Sequence, residues 1–488
     1  MDETGQEPTA MTALNAENGS QPKVLGVDEI LDRIGPRNFQ IVKIFFLTSW
    51  TWAVTAPVIM AEAFLDDSAC DYGMADADLS ADCLERKSGN IAAEFGLHGA
   101  DAHYRHWITT AFLIGNIAGG LLLSVPSDRY GRRIVVLVTL IFIGLSGGAF
   151  LFTKTYASVL LLRVFQGIHF TGSGLCVWVL GYESIPTVLR PFATFTFGVT
   201  WVIGYCAIAP LAYFVSHWRT FMALLCLPSA VHAVVMVFAL PESLHYLVTH
   251  NKQKEAKAWV EAAGDRALAE EINWGELCRQ SSEDDGSKPE TKKQHIFFNR
   301  KIILRILIFA TIWATDVLVY FGMSLFSVQL AGNRYWNYIA MGLIEIPAYI
   351  VGPVMLDKLG RRFTISSTHL GTAFAFVCAG FIMTDHSVVQ LLFWLFAKFC
   401  ISTAFMCIFV FASESFPTTE RSMCVGMCSV TGKFIGCVSP FIQTTRSIWT
   451  PMPLVIFGSF SLVAGLVTLI LPETKDKPLP DTCDGVID

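Results

Sequence analysis

The chain has 488 residues, 53% hydrophobic and 16% charged, with a formal net charge of −6. This balance excludes an ordinary water-soluble domain and a disordered chain, and the lack of a basic cluster excludes a nucleic-acid partner. The thirteen cysteines show no metal-ligand spacing with histidines, and there is no glycine-rich phosphate loop or nucleophile motif in a soluble segment. No catalytic residue, metal or cofactor is therefore expected, and the chain does not read as an enzyme.

Residues 1–38 are polar and lack the apolar core of a cleavable signal, so they read as a cytoplasmic N-terminal segment. Apolar runs near the ~20 residues that span a bilayer follow at 40–64, 107–127, 134–153, 157–182, 191–214 and 217–240. They predict a first six-helix bundle over 39–240. Its outer loop, 65–106, holds nine acids against three bases within 65–105. Cys70 and Cys83 lie in this loop, where oxidation is permitted, and a disulfide there stands level with two free thiols. The sequon at Asn18 falls on the cytoplasmic side and should be unused. Residues 241–301 form a charged cytoplasmic linker, a solvated connector ahead of a regulatory module, with an amphipathic helix around Lys254–Ala263. Further spans at 302–326, 335–357, 363–383, 388–412, 422–445 and 450–471 predict a second bundle over 302–471. The tail, 472–488, is short and acidic.

The chain repeats itself. Asp128-Arg129-Tyr130-Gly131-Arg132-Arg133 returns as Asp357-Lys358-Leu359-Gly360-Arg361-Arg362. Glu183-Ser184-Ile185-Pro186-Thr187, closed by Arg190, returns as Glu414-Ser415-Phe416-Pro417-Thr418, closed by Arg421. Pro241-Glu242-Ser243 returns as Pro472-Glu473-Thr474. The offsets are 229, 231 and 231 residues, far longer than a solenoid unit. The fold class is thus an all-α membrane protein, twelve transmembrane helices in two pseudo-symmetric six-helix bundles, and two such bundles around a central site form an alternating-access transporter. The bases of the turns place both termini in the cytoplasm by the positive-inside rule. The turns themselves predict a gate built from Asp128, Arg129, Arg132, Arg133, Glu183, Arg190, Asp357, Arg361, Arg362, Glu414 and Arg421. In it the arginines face headgroups and carboxylates across the bundle interface, and each acid pairs with a base of a neighbouring turn.

Ionisable groups at bilayer depth cost a few kcal/mol, so they face a cavity or a partner. Lys433 is 12 residues from Arg421 and 13 from Arg446, roughly 18–20 Å from either end at 1.5 Å per residue. Glu345 is 10 residues from Tyr335 and 12 from Asp357, also near mid-depth. Asn337, Met341, Glu345 and Tyr349 share one helix face, and Trp313, Tyr320 and Ser324 line another. A substrate-facing role for Lys433 or Glu345 competes with a simple ion pair between them. Lys398 and Arg163 read as ties within the bundles, His169 as a satisfied core residue, and Asp316 as a candidate for proton or cation coupling.

The duplicated turns resemble those of the major facilitator superfamily. Arg163-Val164-Phe165-Gln166-Gly167, Pro241-Glu242-Ser243-Leu244, Val319-Tyr320-Phe321-Gly322-Met323-Ser324-Leu325, Glu345-Ile346-Pro347-Ala348-Tyr349 and Leu471-Pro472-Glu473-Thr474 are similar to the organic cation, anion and zwitterion transporters of solute carrier family 22. The resemblance runs from about Val27 to Thr482. It implies a polyspecific transporter of small organic ions in the plasma membrane, with Trp313, Tyr320 and Glu345 at cavity positions. Lys433 matches a position where cation transporters tend to carry Asp and anion or carnitine-type members carry Arg, so a substrate carboxylate is favoured. The expectation is alternating-access transport of zwitterions or organic anions, contacted by Lys433, Glu345, Trp313, Tyr320, Tyr349 and Ser324. Organic cations come second. The outer loop is shorter than usual, Leu244-His245 replaces the common Pro-Arg and Ser124 replaces Gly, which supports a third reading, a non-transporting receptor or scaffold. The expected partners are the organic ion, the lipid bilayer and a counter-ion or proton, with the protein a monomer.

Overall fold

The computed structural model describes residues 25–65, 87, 89–286, 300–330, 332–381, 387–417 and 421–477. Cys70, Cys83, Asn18, Thr418 and the last residues of the tail lie outside them. Among the described residues no β-strand occurs. A short helix α1 (Val27–Ile34) leads into six long ones: α2 (Phe39–Met60), α3 (Trp107–Tyr130), α4 (Arg132–Ala149), α5 (Tyr156–Glu183), α6 (Arg190–Phe214) and α7 (Trp218–Ala239). Four helices follow over the linker, α8 (Leu244–Thr249), α9 (Gln253–Ala262), α10 (Arg266–Glu271) and α11 (Trp274–Gly286). The second half comprises α12 (Arg300–Phe326), α13 (Arg334–Leu343) with α14 (Glu345–Leu359), α15 (Arg361–Phe381), α16 (Ser387–Ser415), α17 (Arg421–Gly436) and α18 (Met452–Thr468).

Among the described residues ten helical stretches are long and apolar enough to cross a membrane, and α18 is a shorter apolar helix. The twelfth, α15, is 21 residues long but more polar. Its Thr364, Ser366, Thr368, His369 and Thr372 are buried while Phe363, Phe374 and Val377 are exposed, so its lipid face stays apolar. Side-chain caps start several of these helices: Asn38 accepts from the Gln40 amide, Thr155 from Ser158, and Asn333 from Tyr335 and Trp336.

The halves pack alike. In the first, α3 lies on α5, α4 on α5 and α7, and α2 on α6. In the second, α14 lies on α16, α15 on α16 and α18, and α12 on α17. Small residues set the closest approach, since a Cβ added at Gly115 or Gly167 would come within 2.0 Å of the facing helix's carbonyl oxygen. The halves meet along α6 against α13 and α14, and α3 against α17. At the end away from the repeated turns, Tyr205 stacks on Tyr338 at 4.4 Å, and Thr110 donates to the Cys437 carbonyl at 3.0 Å. Towards the turn end the cross-contacts reach Tyr349, packed on Gly198.

The linker is more than a solvated connector. Leu244, Leu247, Trp259, Val260, Leu268 and Trp274 form one buried cluster with Ile30 and Leu31 of α1 and with residues of the first half. Asp28 of α1 receives Arg190 at 2.5 Å and His245 at 3.0 Å, which fastens this layer to α6. The Arg190 guanidinium, aided by His245, holds the Asp28 carboxyl below its ordinary 3.8. A depressed carboxylate stabilises the fold above its unfolded pKa, and that contribution fades as pH falls through the folded value. Amide protection over Val27–Ile34, taken relative to the unfolded chain at each pH, should therefore hold from neutral pH down to about pH 4 and fall below it; Asp28→Asn should lower it already at neutrality.

Both repeated turns bend at a glycine in a conformation confined to that residue, Gly131 at φ +103° and Gly360 at φ +89°. A Cβ on Gly131 would lie 2.4 Å from a Glu242 carboxylate oxygen, and one on Gly360 2.6 Å from Glu473. Gly131→Ala or Gly360→Ala should cost about 1–3 kcal/mol. Gly148→Ala, on an open helical position, should be neutral or mildly stabilising, and thermal unfolding of the purified protein compares the three.

Candidate functional site: the charged turns and a charge cluster at mid-depth

The repeated motifs assemble the same device twice. In the first half Arg132 forms an ion pair with Glu183, and Ser243 donates to that carboxylate at 3.0 Å. Glu242 accepts from the Arg133 amide at 3.1 Å, at the start of α4. In the second half Arg361 grips Glu414 through two nitrogens at 2.9 Å, and Thr474 donates to Glu414 at 2.6 Å. Glu473 accepts from the Arg361 and Arg362 amides at 2.8 and 3.0 Å. A carboxylate at a helix start meets orphan N–H groups and the positive end of the dipole. Burial raises Glu473, yet four amide donors outweigh it and hold the carboxyl below its ordinary value. At Glu242, with fewer donors, burial wins and the carboxyl is pushed up.

These pairs correct one expectation. Arg132–Glu183 and Arg361–Glu414 each stay within one half and do not reach across the bundle interface. Arg190 turns to Asp28, not to the gate acids, and Arg133 donates to the Val237 carbonyl. Asp128, Arg129, Asp357 and Arg362 are exposed, and Arg421 is part-buried.

At mid-depth the second half buries a charged cluster. The Lys398 ammonium is 2.9 Å from Glu345, and both side chains are fully buried. Lys398 also donates to the Ser324 hydroxyl at 2.8 Å and sits 3.3 Å from the centre of the Tyr320 ring. Tyr349 donates to the other Glu345 oxygen at 2.7 Å, one helical turn along α14. The Tyr320 hydroxyl accepts from the Trp201 indole of the first half at 3.0 Å, and Trp201 meets Trp52 edge-on at 6.1 Å. Aromatic faces of both halves therefore adjoin the cluster.

The expected residues separate here. Glu345, Tyr320, Tyr349 and Ser324 come together, but the partner of Glu345 is Lys398 and not Lys433. Trp313 is fully buried against Phe409 and the glycine before Lys433, inside the second half. Lys433 is partly exposed, and its ammonium has no hydrogen-bond or ion-pair partner among the described residues, one turn from the Thr110–Cys437 crossing. Trp52 and Trp201 were not among the predicted site residues. Each lies on a helix apolar on all sides, where an aromatic carries no periodic signal. Arg163 meets Glu62 and Gln166, and His169 meets the Phe165 carbonyl of its own helix, so both are satisfied within the first half.

Removing one member of a buried ion pair strands the other, at about 3–5 kcal/mol. Lys398→Met should therefore destabilise the protein strongly, whereas Lys398→Met with Glu345→Leu should recover most of the loss. Thermal melting of both variants measures the difference.

A family profile described as "Sugar (and other) transporter" matches residues 41–482. The chain is 32% identical over 461 residues to the Caenorhabditis elegans protein B0252.3, covering 94% of this chain and 90% of that one. It is 30% identical over 392 residues to solute carrier family 22 member 16 of Xenopus laevis, covering 78% of this chain and 68% of that one. Among solved structures, the inward-open conformation of the xylose transporter XylE from E. coli matches with a TM-score of 0.67 at 18% identity, over 90% of this chain and 98% of that one. That match shows a shared fold. With its duplicated turns and two like bundles, the chain belongs to the sugar (and other) transporter family of the major facilitator superfamily, among the solute carrier family 22 transporters.

Proposed function

We propose that this transporter carries small organic ions bearing a carboxylate, organic anions or zwitterions, by alternating access. One observation carries the reading. Glu345 is already neutralised by Lys398 and held by Tyr349, and Asp316 faces His369, so the Lys433 ammonium is the mid-helix base left without a partner among the described residues. An ammonium beside the junction of the halves favours a carboxylate, and the aromatic faces of Trp52, Trp201 and Tyr349 suit the organic body or the quaternary ammonium of a betaine.

The turn end is assigned to the cytoplasm because the bases cluster there, which puts both termini inside, and the plasma membrane is the proposed location. The halves touch at the far end and at mid-depth through Tyr205, Tyr338 and Tyr349, an arrangement that suits an inward-facing state. The intra-half pairs make each half a rigid body. The exposed Asp128, Arg129 and Asp357 are then the groups to bridge the halves in the opposite state.

A charge-assisted contact is worth about 1.5–3 kcal/mol, and 1.4 kcal/mol is tenfold in affinity. Lys433→Asp should therefore lower uptake of dicarboxylates and carnitine-like betaines at least about tenfold and spare quaternary amines. Uptake in proteoliposomes measures this. Undiminished carboxylate uptake with equal incorporation would remove Lys433 from the site.

A further inference from the structure

A second charged site lies deep in the same half, one turn along α12 from Tyr320 of the Glu345 cluster. Asp316 of α12 and His369 of α15 are both fully buried, with His369 Nε2 3.5 Å from Asp316 Oδ1. Neither side chain has a hydrogen bond: both carboxylate oxygens and both ring nitrogens are buried without another partner. A structural histidine is ordinarily fixed through its second nitrogen, and a structural carboxylate by donors on both oxygens. The 3.5 Å gap exceeds that of a formed charge-assisted bond, about 2.7–2.9 Å.

The surroundings hold little that could settle the charge. The Cys407 thiol of α16 faces Asp316. Lys398, also on α16, is engaged by Glu345, while Glu345 and Tyr349 of α14 bind each other. Cys424 and Cys428 of α17 are buried, with Cys428 on the Ile306 carbonyl, and Lys433 of the same helix follows the glycine packed on Trp313. Helix α18, packed on both α12 and α15, carries no ionisable residue. Among the described residues no group of three or more metal-ligating side chains occurs, so two ligands face each other alone.

We propose that Asp316 and His369 together form a proton-binding site that couples the protein's conformational change to pH. With one proton the pair is neutral overall, whether as imidazolium with carboxylate or as imidazole with carboxylic acid, and it titrates as a unit. Without that proton a carboxylate is left alone in dry protein, at a cost of several kcal/mol. In the sealed geometry the pair therefore holds its proton. Water must reach α12 and α15 before the proton departs, and the same H⁺ taken from one side is returned to the other. The coupling of this step to solute movement rests on the transport reading above, whereas the binding of the proton does not.

The test needs no transported solute. Infrared difference spectra of the full-length protein in lipid nanodiscs are recorded between about pH 5 and pH 8, where a histidine titrates. In parallel, spin labels at the exposed Thr249 and Lys477 report the separation of the halves at the turn end. The wild type should show a carboxyl and an imidazole signal that titrate together and vanish in both Asp316→Asn and His369→Gln. Its label separation should shift over the same pH range, and the shift should be lost in either variant. Spectra of Asp316→Asn that superimpose on the wild type overturn the site. Titration without a change in separation overturns the coupling. Should Asp316→Asn not fold, Asp316→Glu keeps the acid and must move the carboxyl band; an unmoved band overturns the assignment. Because none of these readouts involves uptake, failure here is distinct from failure of the carboxylate-transport reading.

Discussion

The ion pair between Glu345 and Lys398 organises the second half, because two fully buried charges there hold each other at 2.9 Å. Two ions removed from water must be joined closely and have their remaining positions filled. Ser324, Tyr320 and Tyr349 do this filling, and so bring α12, α14 and α16 into one register. The first half answers with Arg163, on the corresponding fourth helix of its bundle, which meets Glu62, Gln166 and the Val58 carbonyl. Each half thus locks one base of its long fourth helix onto an acid of another helix. Against that background a base with no such partner stands apart, and Lys433 is one.

Division of labour among charges follows. At the turn end, carboxylates are spent inside each half, on the arginine that starts the next helix or on its free amides. This stiffens the halves separately and leaves their junction to packing and a few neutral hydrogen bonds. Stiff halves with a compliant junction are what a rocking motion requires, since packed interiors switch between arrangements and do not deform continuously.

Much of this was legible in the chain. The helices and the doubling of the turns follow from apolar runs and from three motifs repeated in order, and helix α9 (Gln253–Ala262) falls where the amphipathic pattern near Lys254 places it, whereas the helix pairing and the partners of the turn arginines do not follow. Position along the helix was legible as well, because residue counts from the span ends place Glu345 and Lys433 away from either charged turn. Azimuth was not. Both lie on helices whose apolar residues run all round, so periodicity gives no direction, and the choice of Lys398 over Lys433 as the partner of Glu345 was settled by packing. For the same reason Trp52 and Trp201 left no trace, and His369 drew no notice in a helix rich in threonine and serine. The reach of Arg190 to Asp28 was hidden differently, since it depends on how a polar segment folds back beneath the bundle.

Glu473 follows the last long helix, yet it completes a turn begun more than a hundred residues earlier, at Arg361 and Arg362. Glu242 does the same for Arg133 at the close of the first half, before α12 has begun. On the ribosome, therefore, the first bundle has all its own latches while the second is still unsynthesised. In the second, Arg361 can meet Glu414 as soon as α16 is made, but the Arg361 and Arg362 amides wait for Glu473 until translation has passed the final span.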